Sequence, residues 1–129
     1  MLNNVLLLDD DDVYNFLNKS LVEISGIAQE VKTSKSPIEV IENLKAAKVD
    51  WVPDIIFLDI MMPDMNGHQF LEAFENLPLE ISGHTKIAML SSSLDPDDRE
   101  KSFKCKAVVD FIEKPLNEVK LLKLKERLK

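Results

Sequence analysis

Short apolar runs without polar alternation recur along the chain, and each ends at polar or charged residues. A run of this kind is typical of a parallel β-strand that is buried on both of its faces. The pattern therefore predicts a parallel sheet that is covered on both sides. The five predicted strands span 5–8, 27–33, 55–58, 87–90 and 108–112.

Between these runs, apolar residues recur at helical spacing, and this predicts five helices. The first helix has an apolar stripe that is typical of a face packed against a core. The stripe consists of Val13, Phe16, Leu17, Leu21 and Ile24. Ser36-Pro37 and Asp95-Pro96 each combine an N-cap residue with a first-turn proline, so they predict helix starts, whereas 77–85 is predicted to be a loop. The predicted helices span 12–25, 36–47, 68–76, 95–104 and 117–128.

Strands and helices alternate strictly along the chain. This order predicts an open, doubly wound α/β domain, in which a five-stranded parallel sheet carries five helices on both faces. In such a fold the ligand site lies outside the carboxyl ends of the strands. The residues at those ends are Asp9 and Asp10 after strand one, Asp59 after strand three, Ser91 after strand four, and Glu113 and Lys114 after strand five.

Asp9, Asp10 and Asp59 bring three carboxylates to one edge of the sheet, where their charges repel unless a cation neutralises them. Oxygen ligands without histidine or cysteine suit a hard ion, so Mg²⁺ is the expected occupant. Because Mg²⁺ commonly binds phosphate oxygens as well, Lys114 and Ser91 would supply the cation and the hydroxyl that a phosphate needs on its other side. The residues predict Mg²⁺-assisted phosphoryl transfer with an aspartate as the nucleophile.

The composition is that of one globular domain, residues 1–129, with no output domain expected. The net charge of −7 argues against general nucleic-acid binding, although residues 114–129 carry six basic and two acidic groups. A single cysteine excludes an internal disulfide framework and a multi-cysteine zinc site. No apolar run approaches the roughly 20 residues of a membrane span, and the start does not read as a signal peptide, so we expect a cytoplasmic location without membrane contact.

Four segments together resemble the receiver domain of two-component response regulators, in the single-domain form of the chemotaxis regulators. They are Asp9-Asp10, the Asp-x-x-Met-Pro-x-x-x-Gly segment from Asp59 to Gly67, Leu90-Ser91-Ser92, and Lys114-Pro115. The resemblance extends over essentially the whole chain, and each segment lies at the end of a different predicted strand. It implies a flavodoxin-like fold with strand order 2-1-3-4-5.

The resemblance implies that Asp59 is the phosphoacceptor. Asp59 would receive a phosphoryl group from a histidine kinase or a phosphotransfer protein. Mg²⁺ would be bound by Asp10, by Asp59 and by the backbone carbonyl of Met61, with Asp9 acting through a water. The protein would then be a signalling switch that catalyses its own phosphorylation and dephosphorylation, rather than an enzyme acting on a metabolite.

The resemblance also assigns the residues around the phosphoryl group. Lys114, Ser91 and Ser92 would bind its oxygens, and Lys114 and Ser91 would share the catalytic role with Asp59. Phe111 stands at the aromatic switch position of strand five, where it lacks the phenol of the more common tyrosine. We expect the fourth predicted helix, strand five and the last helix to form the face that a downstream protein partner reads. The last helix contributes the cations Lys120, Lys123, Lys125 and Arg127.

Two other interpretations are open at this point. The run from Asp9 to Val13 also matches the Asp-x-Asp-x-Val/Thr start of haloacid-dehalogenase-like phosphatases, in which Asp9 would be the nucleophile and Asp11 the acid–base residue. That interpretation leaves the segment 59–67 unexplained, and no acidic pair follows Lys114. The other alternative is a receiver-like module that has lost phosphorylation and only binds partners.

Overall fold

The computed structural model describes residues 2–46, 51–93 and 95–128. These residues contain five strands, which form a single sheet in which all neighbours are parallel. The five predicted strands are confirmed, with small differences at their ends. The strands are β1 (Leu2–Leu8), β2 (Ala28–Ser34), β3 (Ile55–Asp59), β4 (Lys86–Ser91) and β5 (Val108–Glu113).

The described residues form six helices, one more than predicted. Five coincide with the predicted helices, and the expected caps are present: Ser36 Oγ accepts from the Glu39 amide at 3.1 Å, and Asp95 Oδ1 accepts from the Asp97 amide at 2.9 Å. Ala47, predicted to belong to the second helix, lies outside the described residues. None of the described helices is long and apolar enough to cross a membrane. The helices are α1 (Asp12–Ser25), α2 (Pro37–Lys45), α3 (Gly67–Glu75), α4 (Leu79–Ser82), α5 (Pro96–Phe103) and α6 (Glu118–Arg127).

The strand order is β2-β1-β3-β4-β5, which confirms the predicted flavodoxin-like arrangement. The register pairs Leu8 of β1 with Leu58 of β3, and Ser91 of β4 with Glu113 of β5. These pairs lie at the carboxyl ends of their strands. The polar residues at and just beyond the strand ends therefore meet along one edge of the sheet.

Each face of the sheet has its own apolar core, because successive side chains of a strand point to opposite sides. Leu6 and Leu8 of β1 belong to the core that includes α2 and α3, whereas Val5 and Leu7 belong to the core that includes α6. The central strand β3 is buried on both sides, with residues 55–58 at most 1 % exposed. Burial on both faces explains why the apolar runs show no polar alternation.

The apolar stripe of the first helix faces outward, so its predicted packing against the core is wrong. Four of its members are exposed, and we call these four the α1 stripe: Val13 (64 %), Phe16 (69 %), Leu17 (56 %) and Ile24 (85 %). The buried residues of α1 are instead Asn15, Asn18 and Val22. The physical reason is visible at Asn15, whose amide nitrogen donates to backbone carbonyls at the ends of β1 and β2. A polar residue that is hydrogen-bonded in this way can occupy a buried helix face.

Part of the segment 77–85, predicted to be a loop, forms the short helix α4. The carbonyl of Pro78 accepts from the amides of Ile81 and Ser82, both at 2.9 Å. Ile81 is buried in the same core as Phe74 and Leu77. This apolar contact orders a segment in which proline and glycine indicate a turn.

Candidate functional site

Three aspartates meet at the carboxyl edge of the sheet. Asp9 follows β1 directly, Asp10 is next to it, and Asp59 is the last residue of β3. One carboxylate oxygen from each lies within 4.8 Å of the others. Asp9 and Asp59 are 3 % and 5 % exposed, whereas Asp10 is exposed. We call these three residues the acidic pocket, and the structure brings them together as the strand ends predict.

Lys114, which follows β5, places its ammonium between the two buried carboxylates. Its Nζ lies 3.0 Å from Asp9 Oδ2 and 3.3 Å from Asp59 Oδ1. The ring of Tyr14, in the first turn of α1, covers the same ammonium, with Nζ 4.4 Å from the ring centroid. The Lys114 side chain is only 12 % exposed, so its ammonium contacts the carboxylates of the pocket rather than solvent.

The acidic pocket carries more negative charge than Lys114 compensates. Burial raises the pKa of Asp59 from 3.8 to about 6, the charge of Asp9 adds to the rise, and Lys114 opposes it. Burial works to lower the pKa of Lys114, but the hydrogen bond to Asp9 and the charge of Asp59 outweigh it and raise that pKa. Lys114 is therefore held firmly as a cation, whereas the charged form of the Asp59 carboxylate is still destabilised. A bound cation would relieve this destabilisation.

The pocket has the donor set of a hard divalent cation such as Mg²⁺. Among the described residues, the carboxylates of Asp9, Asp10 and Asp59 form a cluster that could hold a metal ion. Oxygen ligands of this kind suit Mg²⁺ rather than softer metals. Met61 lies beside the cluster, because its amide donates to Asp59 Oδ1 at 3.3 Å. The donor chemistry and the raised pKa of Asp59 both fit a cation at this position.

Two residues without a predicted role support the pocket. Asn15 Nδ2 donates to the Asp9 carbonyl at 2.8 Å and to the Ser34 carbonyl at 3.2 Å, which ties the end of β1 to the end of β2. Gly67 lies against the loop after β3, where a Cβ atom would come within 2.9 Å of Ile60 Cα. Gly67 belongs to the Asp-x-x-Met-Pro segment, but nothing in the sequence marks Asn15 as part of the site.

The hydroxyl of Ser91 lies at the same edge but is engaged in a turn. It donates to the Ser93 carbonyl and accepts from the Ser93 amide, the latter at 3.1 Å. No hydrogen bond among the described residues joins it to the acidic pocket. Ser92 is exposed, and Phe111 is buried in the core that contains Met89. Of these residues, Ser91 lies at the end of β4 but is bonded to its own turn, and Phe111 is part of the core.

Comparison with known proteins agrees with this architecture. The family model for the response regulator receiver domain matches residues 5–126. The structure of a two-component response regulator from Cytophaga hutchinsonii is 32 % identical, with a TM-score of 0.87 over 98 % of this chain and 96 % of that one. Chemotaxis response regulator CheY4 of Vibrio cholerae is 23 % identical with a TM-score of 0.79 over 100 % of both chains, and shares the fold.

A curated relative has a similar sequence over most of this chain but is much longer. The protein-glutamate methylesterase/protein-glutamine glutaminase of Clostridium acetobutylicum is 29 % identical over 126 residues, or 96 % of this chain. The chain spans 34 % of that protein's length, so the activity in the name is a property of that longer protein. The family model, the strand order and the acidic edge of the sheet point to the same group of proteins. The chain belongs to the response regulator receiver domains of two-component signalling.

Proposed function

We propose that this chain is a phosphorylation-dependent signalling switch in which Asp59 accepts the phosphoryl group. The observation that carries the proposal is the position of Asp59, buried with Oδ1 3.3 Å from Lys114 Nζ and two further carboxylates beside it. A carboxylate oxygen of Asp59 attacks the phosphorus of the donor and forms an acyl phosphate. The donor's own bond to phosphorus breaks, and the imidazole of a phosphohistidine, or acetate from acetyl phosphate, leaves. Lys114 holds a phosphoryl oxygen as its charge develops. Asp9 keeps the ammonium in place through its 3.0 Å contact.

Asp10, Asp59 and the backbone carbonyl of Met61 would hold Mg²⁺, with Asp9 acting through a water. When bound, the ion neutralises the carboxylates and stabilises negative charge on the phosphoryl oxygens. Asn15 Nδ2 donates to the carbonyl of Asp9, and this hydrogen bond helps to keep the carboxylates of Asp9 and Asp10 at the site. The pKa of Asp59, raised by burial and by Asp9, supports this assignment, because a cation removes the repulsion between the carboxylates.

The contacts of the acidic run favour this proposal over a phosphatase with Asp9 as nucleophile. Both carboxylate oxygens of Asp9 are engaged, Oδ2 by Lys114 and Oδ1 by the Asp11 amide at 3.0 Å. Asp11, the acid–base residue of that alternative, instead caps α1 and accepts from the Val13 amide at 2.8 Å. A module that only binds partners would not need Lys114 between two buried carboxylates. We therefore propose a receiver that catalyses its own phosphorylation, not an enzyme acting on a metabolite.

Phosphorylation would act on the rest of the fold through Ser91. Its hydroxyl leaves the Ser93 carbonyl and donates to a phosphoryl oxygen, with Ser92 next to it. Hydrogen bonds to charged groups contribute roughly 1.5–3 kcal/mol and neutral ones roughly 0.5–1.5 kcal/mol, so the exchange favours the phosphorylated arrangement by about 1–2 kcal/mol. That difference shifts a two-state equilibrium roughly 5- to 30-fold. Phe111, buried on β5, would respond by repacking.

The phosphodonor in this proposal is a histidine kinase or a phosphotransfer protein of the cytoplasm, and it docks on the α1 stripe. The stripe starts at Val13, in the helical turn next to the acidic pocket, and continues through Phe16 and Leu17 to Ile24. An exposed row of large apolar side chains is typical of an interaction surface. A donor protein that brings a phosphohistidine to Asp59 would cover the part of the stripe that borders the pocket.

The downstream partner would bind the face formed by α5, β5 and α6. A cavity of about 290 Å³ opens there, lined by Arg99, Asp110, Phe111, Ile112, Glu113, Lys120, Lys123 and Arg127. Arg127 is paired with Asp110 at 3.0 Å, whereas Arg99 and Lys123 have no ion pair among the described residues. These cations stand out on a chain of net charge −7. Charge complementarity therefore favours a partner with an acidic segment.

The test of the phosphoacceptor is the intact mass of the protein after incubation with acetyl phosphate and Mg²⁺. We expect the wild type to gain one phosphoryl group and Asp59→Asn to gain none. Asp9→Asn should be labelled more weakly, because it loses a carboxylate of the metal site. Asp64→Asn, at an exposed aspartate of the following loop, is the matched control and should behave like the wild type.

Two results would overturn the proposal. A wild type that stays unmodified would favour the module that only binds partners. Rapid consumption of the donor that survives Asp59→Asn and is lost in Asp9→Asn would instead establish a phosphatase.

A further inference from the structure

An aromatic ring covers the ammonium that pairs with both buried aspartates. The Nζ atom of Lys114 lies 4.4 Å from the ring centroid of Tyr14. This separation is well within the roughly 6 Å over which a ring face attracts a cation. Tyr14 is outside the segments that carry the family resemblance, and the proposed chemistry has not used it.

The ring and the carboxylates hold Lys114 in different ways. Asp9 and Asp59 bind the ammonium at 3.0 and 3.3 Å through contacts that direct its N–H groups. A ring face attracts the same charge without requiring an N–H to point at one atom. Lys114 can therefore exchange an oxygen of Asp59 for a phosphoryl oxygen while it stays against the ring. The side chain is 12 % exposed, which agrees with a ring that keeps water from the ammonium.

We propose that Tyr14 is a positioning residue for phosphoryl chemistry, because its ring holds the Lys114 ammonium next to Asp59 before and after transfer. The inference rests on the proposed function, in which Lys114 binds the phosphoryl group. The ring carries the role, since the described residues offer the Tyr14 hydroxyl no hydrogen bond. Tyr14→Phe should therefore keep the role of the ring, and Tyr14→Leu should lose it.

The first measurement compares the rates at which the variants gain the phosphoryl group from acetyl phosphate at saturating Mg²⁺. We expect Tyr14→Leu to slow the gain roughly 2- to 30-fold, the range that a cation–π contact carries. Tyr14→Phe should restore a rate close to that of the wild type. Trp51→Leu is the matched control, because it removes a ring that lies 4.6 Å from the Lys32 ammonium on β2, outside the pocket and the proposed partner face. Its rate should not change.

The second measurement needs no phosphorylation. The ring current of Tyr14 should displace the NMR resonances of the Lys114 ε-methylene protons in the unmodified protein. Tyr14→Leu should return these resonances towards the usual lysine position, whereas Tyr14→Phe should keep them displaced. Urea denaturation of each variant checks that the fold is intact.

Each outcome decides the inference. A folded Tyr14→Leu variant with the wild-type rate would overturn it, and so would a Tyr14→Phe variant as slow as Tyr14→Leu. Unmoved Lys114 resonances in Tyr14→Leu would show that the ring does not hold the ammonium. If the wild type takes no phosphoryl group, the proposed function itself fails, and this result is separate from any difference between variants.

Discussion

Removing one negative charge from the acidic pocket should stabilise the metal-free protein. Burial and the charge of Asp9 raise the pKa of Asp59 from 3.8 to about 6, so the folded state holds this proton more tightly than the unfolded chain does. Between about pH 4 and pH 6, unfolding then releases a proton. The contribution of Asp59 to stability is therefore largest in acid and falls as the pH rises through this window. Above pH 6 the folded protein carries the full penalty of the buried charge.

The size of the penalty follows from the pKa difference. A rise of about two pKa units at 1.36 kcal/mol per unit corresponds to about 3 kcal/mol near pH 7. Asp59→Asn cannot ionise and removes this penalty, which the 3.3 Å ion pair with Lys114 has already reduced in the wild type. We therefore expect Asp59→Asn to exceed the wild type in free energy of unfolding by about 1–3 kcal/mol near pH 7, and to match it near pH 4.

Urea denaturation in EDTA at several pH values from about 4 to 8 measures this difference. The difference in free energy of unfolding between the wild type and Asp59→Asn cancels the titration of the other groups. Asp64→Asn shows how much the loss of an exposed aspartate changes the same free energy. Mg²⁺ at about 100 times its dissociation constant should then stabilise the wild type by about 2.7 kcal/mol and Asp59→Asn much less. A difference that does not change with pH, or an Asp59→Asn variant that is less stable at pH 7, would refute the reasoning.

Three further predictions concern the surfaces and the loop around the pocket. Phe16→Asp in the α1 stripe should slow phosphoryl transfer from a purified phosphotransfer protein that labels the wild type. Labelling by acetyl phosphate should stay unchanged, and an equal effect on both donors would argue against docking on the stripe. Gly67→Ala should lower the free energy of unfolding in urea by about 1–3 kcal/mol, because its Cβ would crowd Ile60 Cα at 2.9 Å. Phosphorylation should change amide hydrogen exchange in α5 and β5 but not in β2, and identical exchange in the two states would contradict the switch.

The sheet and the acidic pocket are predictable because strand ends are local signals. Each central apolar run stops at a polar side chain, and the pocket residues Asp9 and Asp59 are two of these. Parallel strands bring such ends to one edge of the sheet whatever the detailed packing. The order and the direction of the strands are therefore enough to place Ser91 and Lys114 at the same edge.

The orientation of α1 and the contacts between distant parts of the chain are not predictable in this way. Helical spacing locates an apolar stripe, but it does not tell which side of the helix meets the sheet. The buried face of α1 is polar, because Asn15 donates from this face to backbone carbonyls at the strand ends. The apolar face of α1 is exposed. Tyr14 and Lys114 meet only after folding. The same holds for His68 and His84, each paired with an aspartate 30 residues away.

The most direct test of the proposed switch locates the acyl phosphate in the chain. After labelling with acetyl phosphate and Mg²⁺, sodium borohydride reduces an aspartyl phosphate to homoserine, which peptide mass spectrometry identifies. We predict homoserine in place of Asp59, and no homoserine in the Asp59→Asn variant. Homoserine in place of Asp9, or labelling that persists in Asp59→Asn, would contradict the assignment of the phosphoacceptor.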